Sequence, residues 1–100
     1  MKVEILHEAE EELDAAIEHY ESVQPGLGLR LKEETRQRIL WIKNNATVTR
    51  LLPKGYRRVN LKVFPYYIPY FIWSDTIWIL ALAHAHRRPQ YWIKRRANLP

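Results

Sequence analysis

The sequence predicts an α+β fold with the element order β-α-α-β-β-β, in which an N-terminal helical hairpin packs on a small, mainly antiparallel sheet. Two observations predict this class. Apolar residues recur at helical spacing through the first half of the chain, whereas from Arg57 onward they alternate with polar residues or form short apolar runs. The length of 100 residues is that of one domain, which we expect to span residues 1–100.

The first half of the chain predicts one strand and two helices. Residues 2–6 alternate, with Val3 and Ile5 on one face, and predict a short strand. Residues 8–23 predict a helix, and Pro25 and Gly26 end it. A second helix is predicted over residues 27–44. The apolar stripes of the two helices consist of Ala9, Leu13, Ala16, Ile17 and Tyr20, and of Leu27, Leu31, Thr35, Ile39 and Ile42.

The second half predicts a three-stranded meander. Residues 57–64 alternate, residues 67–73 form an aromatic-rich strand, and a last, almost wholly apolar strand runs from residue 76 to about residue 86. Pro69 cannot donate to a strand ladder, so we expect a bulge or an unpaired edge there. Ser74 and Asp75 predict a tight hairpin turn.

Two helices can cover only one face of such a sheet. The last two strands are nevertheless apolar on both faces, because Ile77 and Ile79 alternate with Trp78 and Leu80. Either the sheet curls over its own second face, or a partner covers it. We expect a partner, since exposed apolar area of this extent usually marks an interface.

Charge is distributed unevenly along the chain. The net charge is +5, and ten of the eleven acidic residues lie in residues 1–49. From Arg50 onward, Asp75 is the only acid beside ten Lys and Arg residues. Such a cationic half suits RNA, DNA or an acidic protein segment.

Composition excludes several other classes of protein. Cys is absent, which excludes disulfides and thiolate metal ligands. No apolar run approaches the roughly 18 residues of a membrane span, and the acidic N-terminus is unlike a secretory signal. We therefore expect a cytoplasmic protein without a membrane partner.

Three sequence segments carry a resemblance to a known family. They are "EAEEELDAAIEHYESVQPGLGLRLKEE" at residues 8–34, "GYRRVNLKVFPYYIPYFI" at residues 55–72, and "ILALAHAHRRPQYW" at residues 79–92. In this order and spacing they resemble the ParE/RelE superfamily of type II toxin–antitoxin toxins, also called plasmid stabilisation proteins, and the ParE-like branch in particular. The resemblance implies that the protein inhibits growth when free and is neutralised by a cognate antitoxin.

The resemblance leaves three functions open. A ParE-like toxin inhibits DNA gyrase by binding, and this non-enzymatic alternative is favoured. A RelE-like toxin is a ribosome-dependent mRNA endonuclease, and its catalytic residues would here be Lys54, Arg57, His86, Arg87 and Tyr91. The third alternative is an inactive, toxin-like interaction module. The loop before Arg57 contains few basic residues, which argues against cleavage.

Eight residues are predicted to bind the target or the antitoxin, namely Arg57, Arg58, Phe71, Trp73, His84, Arg87, Tyr91 and Trp92. Arg57 and Arg87 either converge on one anion or form internal salt bridges with a helix acid such as Glu12 or Glu34. Tyr91 and Trp92 either stack on bases or cover the open end of the sheet. The segment with Lys94, Arg95 and Arg96 predicts a solvated cationic tail.

The two histidines near the end of the last strand have three interpretations. His84 and His86 share a face, as two metal ligands would, but no third ligand is evident, so we expect neither a metal nor another cofactor. Acid–base work on RNA is a second interpretation. The favoured one is that His84 hydrogen-bonds backbone at the strand end.

The predicted partners are an acidic antitoxin and the target, which is DNA gyrase or the ribosome with its mRNA. The antitoxin segment should be acidic with apolar anchors. It should lie on the uncovered sheet face or along the helical hairpin. A homodimer or a heterotetramer with the antitoxin is also compatible with the resemblance.

Overall fold

A computed structural model describes residues 1–99 of the chain. The elements are β1 (Lys2–Ile5), α1 (His7–Val23), α2 (Leu27–Asn45), β2 (Arg57–Asn60), β3 (Tyr66–Trp73), β4 (Thr76–Ile79), β5 (Ala83–His84) and a 3-10 helix (Ile93–Asn98). The predicted α+β class and element order are confirmed. The two helices each differ from prediction by one residue at a single end.

The sheet has the strand order β1-β4-β3-β2, with β5 also paired to β3. β1 runs parallel to β4, and the other pairs are antiparallel. Ser74 and Asp75 have φ values of 51° and 58°, as a type I′ hairpin turn requires, so the predicted turn between β3 and β4 is confirmed.

The predicted continuous last strand is wrong, because it breaks into β4 and β5. β3 pairs with β4 from residue 70 onward and with β5 at residues 66–67, and the register shifts by one residue between them. Residues 80–82 therefore stand opposite residues 68–69, which is the arrangement of a β-bulge. The interruption predicted at Pro69 is confirmed, but the extra residue lies in the neighbouring strand. Leu80 N donates to the Pro69 carbonyl at 2.9 Å.

The predicted strand over residues 57–64 is also too long, because β2 ends at Asn60. Glu34 of α2 accepts hydrogen bonds from the backbone N–H groups of Lys62 and Val63, at 2.5 and 3.2 Å. β2 ends here because residues 62–65 form the turn into β3, since Asn60 pairs with Tyr67 and Leu61 N donates to the Tyr66 carbonyl; the Glu34 carboxylate binds two amides of that turn. The position of Glu34 depends on how α2 packs against the sheet, and the local sequence pattern gives no information about this packing.

The helical hairpin is closed at its turn by a carboxylate and a close helix contact. Gly26 has a φ of 90°, and Glu21 accepts hydrogen bonds from the N–H groups of Gly26 and Gly28, at 3.1 and 2.8 Å. These bonds, led by that from Gly26, hold the pKa of Glu21 below its ordinary value. A Cβ added at Gly28 would stand 2.4 Å from the Ile17 carbonyl oxygen, so glycine permits the close approach of α1 and α2.

The sheet separates two apolar cores. The larger core lies between the sheet and the helical hairpin, and its fully buried side chains include Leu31, Ile42, Ile68, Tyr70 and Ile77. On the other side, which we call the outer face, Trp92 is fully buried in a second cluster with Tyr56, Tyr67, Leu80, Ala81 and Ala83. The chain therefore covers part of its own outer face, as predicted by the packing alternative for Trp92. In residues 1–99, neither helix is long and apolar enough to cross a membrane.

Candidate functional site

Residues 87–99, called the C-terminal segment below, are tied to α1 through the carboxylate of Glu12. This side chain is only 16% exposed. It accepts hydrogen bonds from the Tyr91 hydroxyl at 2.5 Å, from Arg95 Nη1 at 2.9 Å and from Leu82 N at 3.2 Å. Arg87 Nη1 lies 3.6 Å from the same carboxylate. One acid thus joins α1, the bulge and the C-terminal segment.

The predicted solvated tail is wrong for two of its three cations. Arg95 is only 19% exposed and, besides Glu12, donates to the Leu80 carbonyl at 3.0 Å. Arg96 donates to the Lys54 carbonyl. Lys94 remains exposed. The segment folds back against the bulge, where the Leu80 carbonyl accepts from Arg95, and against Glu12, which also binds the Leu82 amide.

Tyr91 is held as a hydrogen-bond donor. Its pKa is raised, chiefly by burial and further by the hydrogen bond to Glu12. The Arg87 guanidinium stacks over the Tyr91 ring at 3.6 Å. The hydroxyl therefore keeps its proton at neutral pH and points at a carboxylate of its own chain.

Arg57 and Arg87 bind different groups. Arg57 donates to the Thr49 carbonyl and, at 3.4 Å, to that of Thr47. The internal salt bridge predicted for Arg87 is confirmed with Glu12, whereas Arg57 has backbone carbonyls as its partners. That the two guanidinium groups hold one common anion stays a prediction.

His84 acts at the end of β5 as predicted. Its Nδ1 accepts a hydrogen bond from the backbone N–H of His86 at 3.0 Å, and its ring packs edge-on against Tyr66 at 5.1 Å. His86 is exposed, with its ring 5.4 Å from that of His84. Among residues 1–99, no three His, Asp or Glu side chains are grouped so as to hold a metal ion.

The remaining predicted site residues lie on or beside the outer face. Arg58 is exposed, with its guanidinium 3.8 Å from the centre of the Tyr67 ring. Phe71 is half-buried and Trp73 is 53% exposed, while Trp92 is inaccessible below the surface. Lys54 Nζ donates to Gln90 Oε1 at 2.9 Å. The structure thus brings Lys54, Phe71 and Trp73 near the C-terminal segment.

An apolar groove with cations on its rim occupies this part of the outer face. We call it the outer groove, and its volume is about 690 Å³. Its lining residues are Lys54, Phe71, Trp73, Ile93, Lys94, Arg96, Ala97 and Leu99. Three of the eight are cations and none is acidic, so the groove suits an acidic ligand with apolar side chains.

Sequence reasoning named Glu12 as an alternative partner for an arginine but missed its central position, and it missed Lys94 and Arg96 as groove walls. The spacing of residues in α1 did indicate that Glu12 is partly buried. It lies three residues after Ala9 and four before Ala16, both buried, so it belongs to the core-facing stripe of α1. A carboxylate in such a stripe needs donors.

Comparison with known proteins agrees with this geometry. The model of the family described as ParE toxin of type II toxin-antitoxin system, parDE, matches residues 3–89. A solved chain described as "Chromosomal ParDE TA system from P. aeruginosa" has the same fold, with a TM-score of 0.78 over 86% of this chain and 97% of that chain, at 21% identity. No curated protein sequence gives a significant match. Because the family model covers most of the chain, this protein belongs to the ParE toxin family of type II toxin–antitoxin systems.

Proposed function

We propose that this toxin inhibits its target by binding, that the target is DNA gyrase, and that a ParD antitoxin neutralises it. Membership of the parDE family supports the antitoxin partner. Gyrase is preferred to the ribosome as the target because the three sequence segments at residues 8–34, 55–72 and 79–92 are ParE-like. Binding is preferred to catalysis because of the contacts that the candidate nuclease side chains make within the chain.

The main support for binding is that the candidate nuclease residues have partners within the chain. Tyr91 and Arg87 contact Glu12, and Arg57 contacts two backbone carbonyls. Lys54 donates to Gln90. A general acid or base must reach the substrate proton at hydrogen-bond distance. His86, which is exposed, would have to perform proton transfer while the other four groups gave up their contacts.

The proposed binding surface is the outer face together with its basic surroundings. Phe71 and Trp73 supply apolar area, and Arg58 supplies a cation over the Tyr67 ring. Arg87 is 57% exposed, so it can contact a partner while it contacts Glu12. Of the other predicted binding residues, Trp92 packs under the outer face in the second cluster. Arg57, His84 and Tyr91 instead contact the loop after α2, Tyr66 and Glu12, respectively. Positive charge here would attract acidic partners and raise the association rate at low salt.

The deciding experiment compares two assays on the purified protein. We expect stoichiometric inhibition of gyrase supercoiling and no new mRNA cuts in a translating extract. Trp73→Ala should weaken the inhibition, whereas Val48→Ala, a change at a 72% exposed apolar residue outside the outer groove, should not.

Each alternative has its own outcome. New mRNA cuts without an effect on supercoiling would replace the proposal by the endonuclease function. Silence in both assays, with normal growth on induction, would leave an interaction module that binds an antitoxin.

A further inference from the structure

We infer that Glu12, which lies on the helical side of the sheet, is a positioning residue that builds the outer groove on the opposite side and thereby controls target binding. The first half of this inference rests on contacts within the chain. The second half, control of target binding, rests on the function proposed above.

The first step is that Glu12 contacts the C-terminal segment at the bulge in the sheet. The bulge removes residues 80–82 from regular pairing, and two of its backbone groups are bound by side chains. Leu82 N donates to Glu12, and the Leu80 carbonyl accepts from Arg95. Because Arg95 also binds Glu12, the carboxylate and the guanidinium together occupy the interruption in the strand. α1 and the C-terminal segment are therefore connected to each other at the bulge.

The second step is the connection from Glu12 to the groove wall. Tyr91 and Arg95 are both bound to Glu12, and they flank the residue Trp92, whose Nε1 donates to the Tyr67 hydroxyl at 3.1 Å. The adjoining 3-10 helix supplies four of the eight lining residues of the outer groove. Five of the eight lining residues belong to the C-terminal segment, namely Ile93, Lys94, Arg96, Ala97 and Leu99. Fixing Tyr91 and Arg95 thus fixes the wall.

The third step concerns the anchors of the segment, which are the burial of Trp92, the contacts of Lys54 with Gln90 and Arg96, and the bonds to Glu12. A single stretch of 3-10 helix is weakly stable, because its hydrogen-bond geometry is poor. Its position depends on side-chain anchors, and those to Glu12 are charge-assisted and mostly shielded from water. Loss of the negative charge would leave Arg95 partly buried without its counter-ion, which favours release of the segment.

The test uses Glu12→Gln in the full chain, with Glu11→Gln as the matched control. Glu11 is the next residue on α1, but it is 64% exposed and pairs with His7. We expect trypsin to cut at Lys94, Arg95 or Arg96 about ten-fold faster in Glu12→Gln than in the wild type, and at an unchanged rate in Glu11→Gln. The concentration for half-inhibition of gyrase should rise by about the same factor, and growth arrest on induction should weaken in parallel.

Two further variants separate positioning from general stability. Trp73→Ala changes a groove residue outside the C-terminal segment and removes no trypsin site, and should weaken inhibition without changing the trypsin rate. Glu12→Asp keeps the charge and should recover part of the protection that Glu12→Gln loses. Should Glu12→Gln fail to fold, Tyr91→Phe removes one of the bonds to the carboxylate and should show the same effects to a smaller extent.

Each outcome decides one part of the inference. Wild-type protection of the segment in Glu12→Gln would overturn the positioning role. Loosening of the segment with unchanged inhibition and growth arrest would overturn the control of target binding. If the wild type leaves gyrase untouched but arrests growth, the proposed target fails, and growth arrest takes its place as the functional readout. A wild type that does neither removes the second half, and the trypsin rates alone decide the first.

Discussion

At the residue scale, three carboxylates each bind several donors. Glu12, Glu21 and Glu34 accept hydrogen bonds from backbone amides that have no strand or helix partner. The sequence predicted which helices carry these acids, but it did not predict the amides that they bind. Such a bond joins residues up to 70 positions apart, so no local pattern contains it. Substitutions at these contacts should therefore have larger effects than their partial exposure suggests.

Gly28→Ala should strongly destabilise the protein. The new Cβ would stand 2.4 Å from the Ile17 carbonyl oxygen, so α1 and α2 would have to move apart. We expect a loss of about 1–3 kcal/mol in the free energy of unfolding, as for other overpacked contacts. Urea denaturation measures it, with Leu29→Ala at the neighbouring, 62% exposed residue as the control. Equal stability of Gly28→Ala and the wild type would contradict the close approach of the helices.

Tyr91 should make part of the stability sensitive to alkaline pH. Its pKa in the folded protein lies above the ordinary value of 10.0, so the folded state keeps the proton that the unfolded state has lost. The stabilisation by Tyr91 is complete below pH 10.0 and is lost as the pH rises through the folded-state value. The difference in unfolding free energy between the wild type and Tyr91→Phe should thus be constant below pH 10.0 and shrink above it. A constant difference over the whole range would argue against the Tyr91–Glu12 bond.

At the element scale, the sequence correctly predicted those elements that are determined by a local residue pattern. Both helices and the Ser74–Asp75 turn follow from apolar spacing and turn chemistry, and all three are confirmed. The last strand was predicted as continuous because its residues are apolar throughout. Apolar character does not distinguish a paired residue from a bulged one, and the break arises from the pairing of β3 with two successive strands.

Asp75→Gly should stabilise the hairpin of β3 and β4. Asp75 has a φ of 58°, which glycine adopts without steric cost. We expect a gain of up to about 1 kcal/mol in the free energy of unfolding. Asp14→Gly, in the middle of α1, is the opposite control and should cost about 1 kcal/mol. Thermal unfolding of the two variants should show melting temperatures on opposite sides of the wild type.

At the scale of the whole molecule, the sequence predicted the overall charge and apolar area but not the contacts of the C-terminal segment. The cationic second half was evident from the sequence, and so was the excess of apolar area on the sheet. The sequence also predicted that Trp92 could cover the sheet end, which is confirmed. It did not predict that Arg95 and Arg96 would be bound instead of solvated, because their acceptors are Glu12 and two backbone carbonyls far away in sequence.

Trp92→Ala should cost far more stability than Trp73→Ala. Trp92 is fully buried and donates to Tyr67, so its removal leaves a large cavity and an unpaired hydroxyl. We expect a loss of about 3–5 kcal/mol in the free energy of unfolding. Trp73 is 53% exposed, and its truncation should lower binding more than stability. Denaturant titration together with the supercoiling assay separates the two effects, and similar stability losses would contradict the assignment of the two tryptophans.

The parallel pairing of β1 with β4 has a consequence for how the molecule is made. Residues 2–5 find their partners only when residues 76–79 have been synthesised, and Glu12 finds Arg95 later still. Contacts of such long sequence separation form late, since they close the longest loops. A ribosome that stops before Arg95 therefore releases a chain whose first helix has no C-terminal partner and whose groove lacks a wall. Completion of translation is thus a condition for a finished outer groove, and under the proposed function truncated products should be harmless.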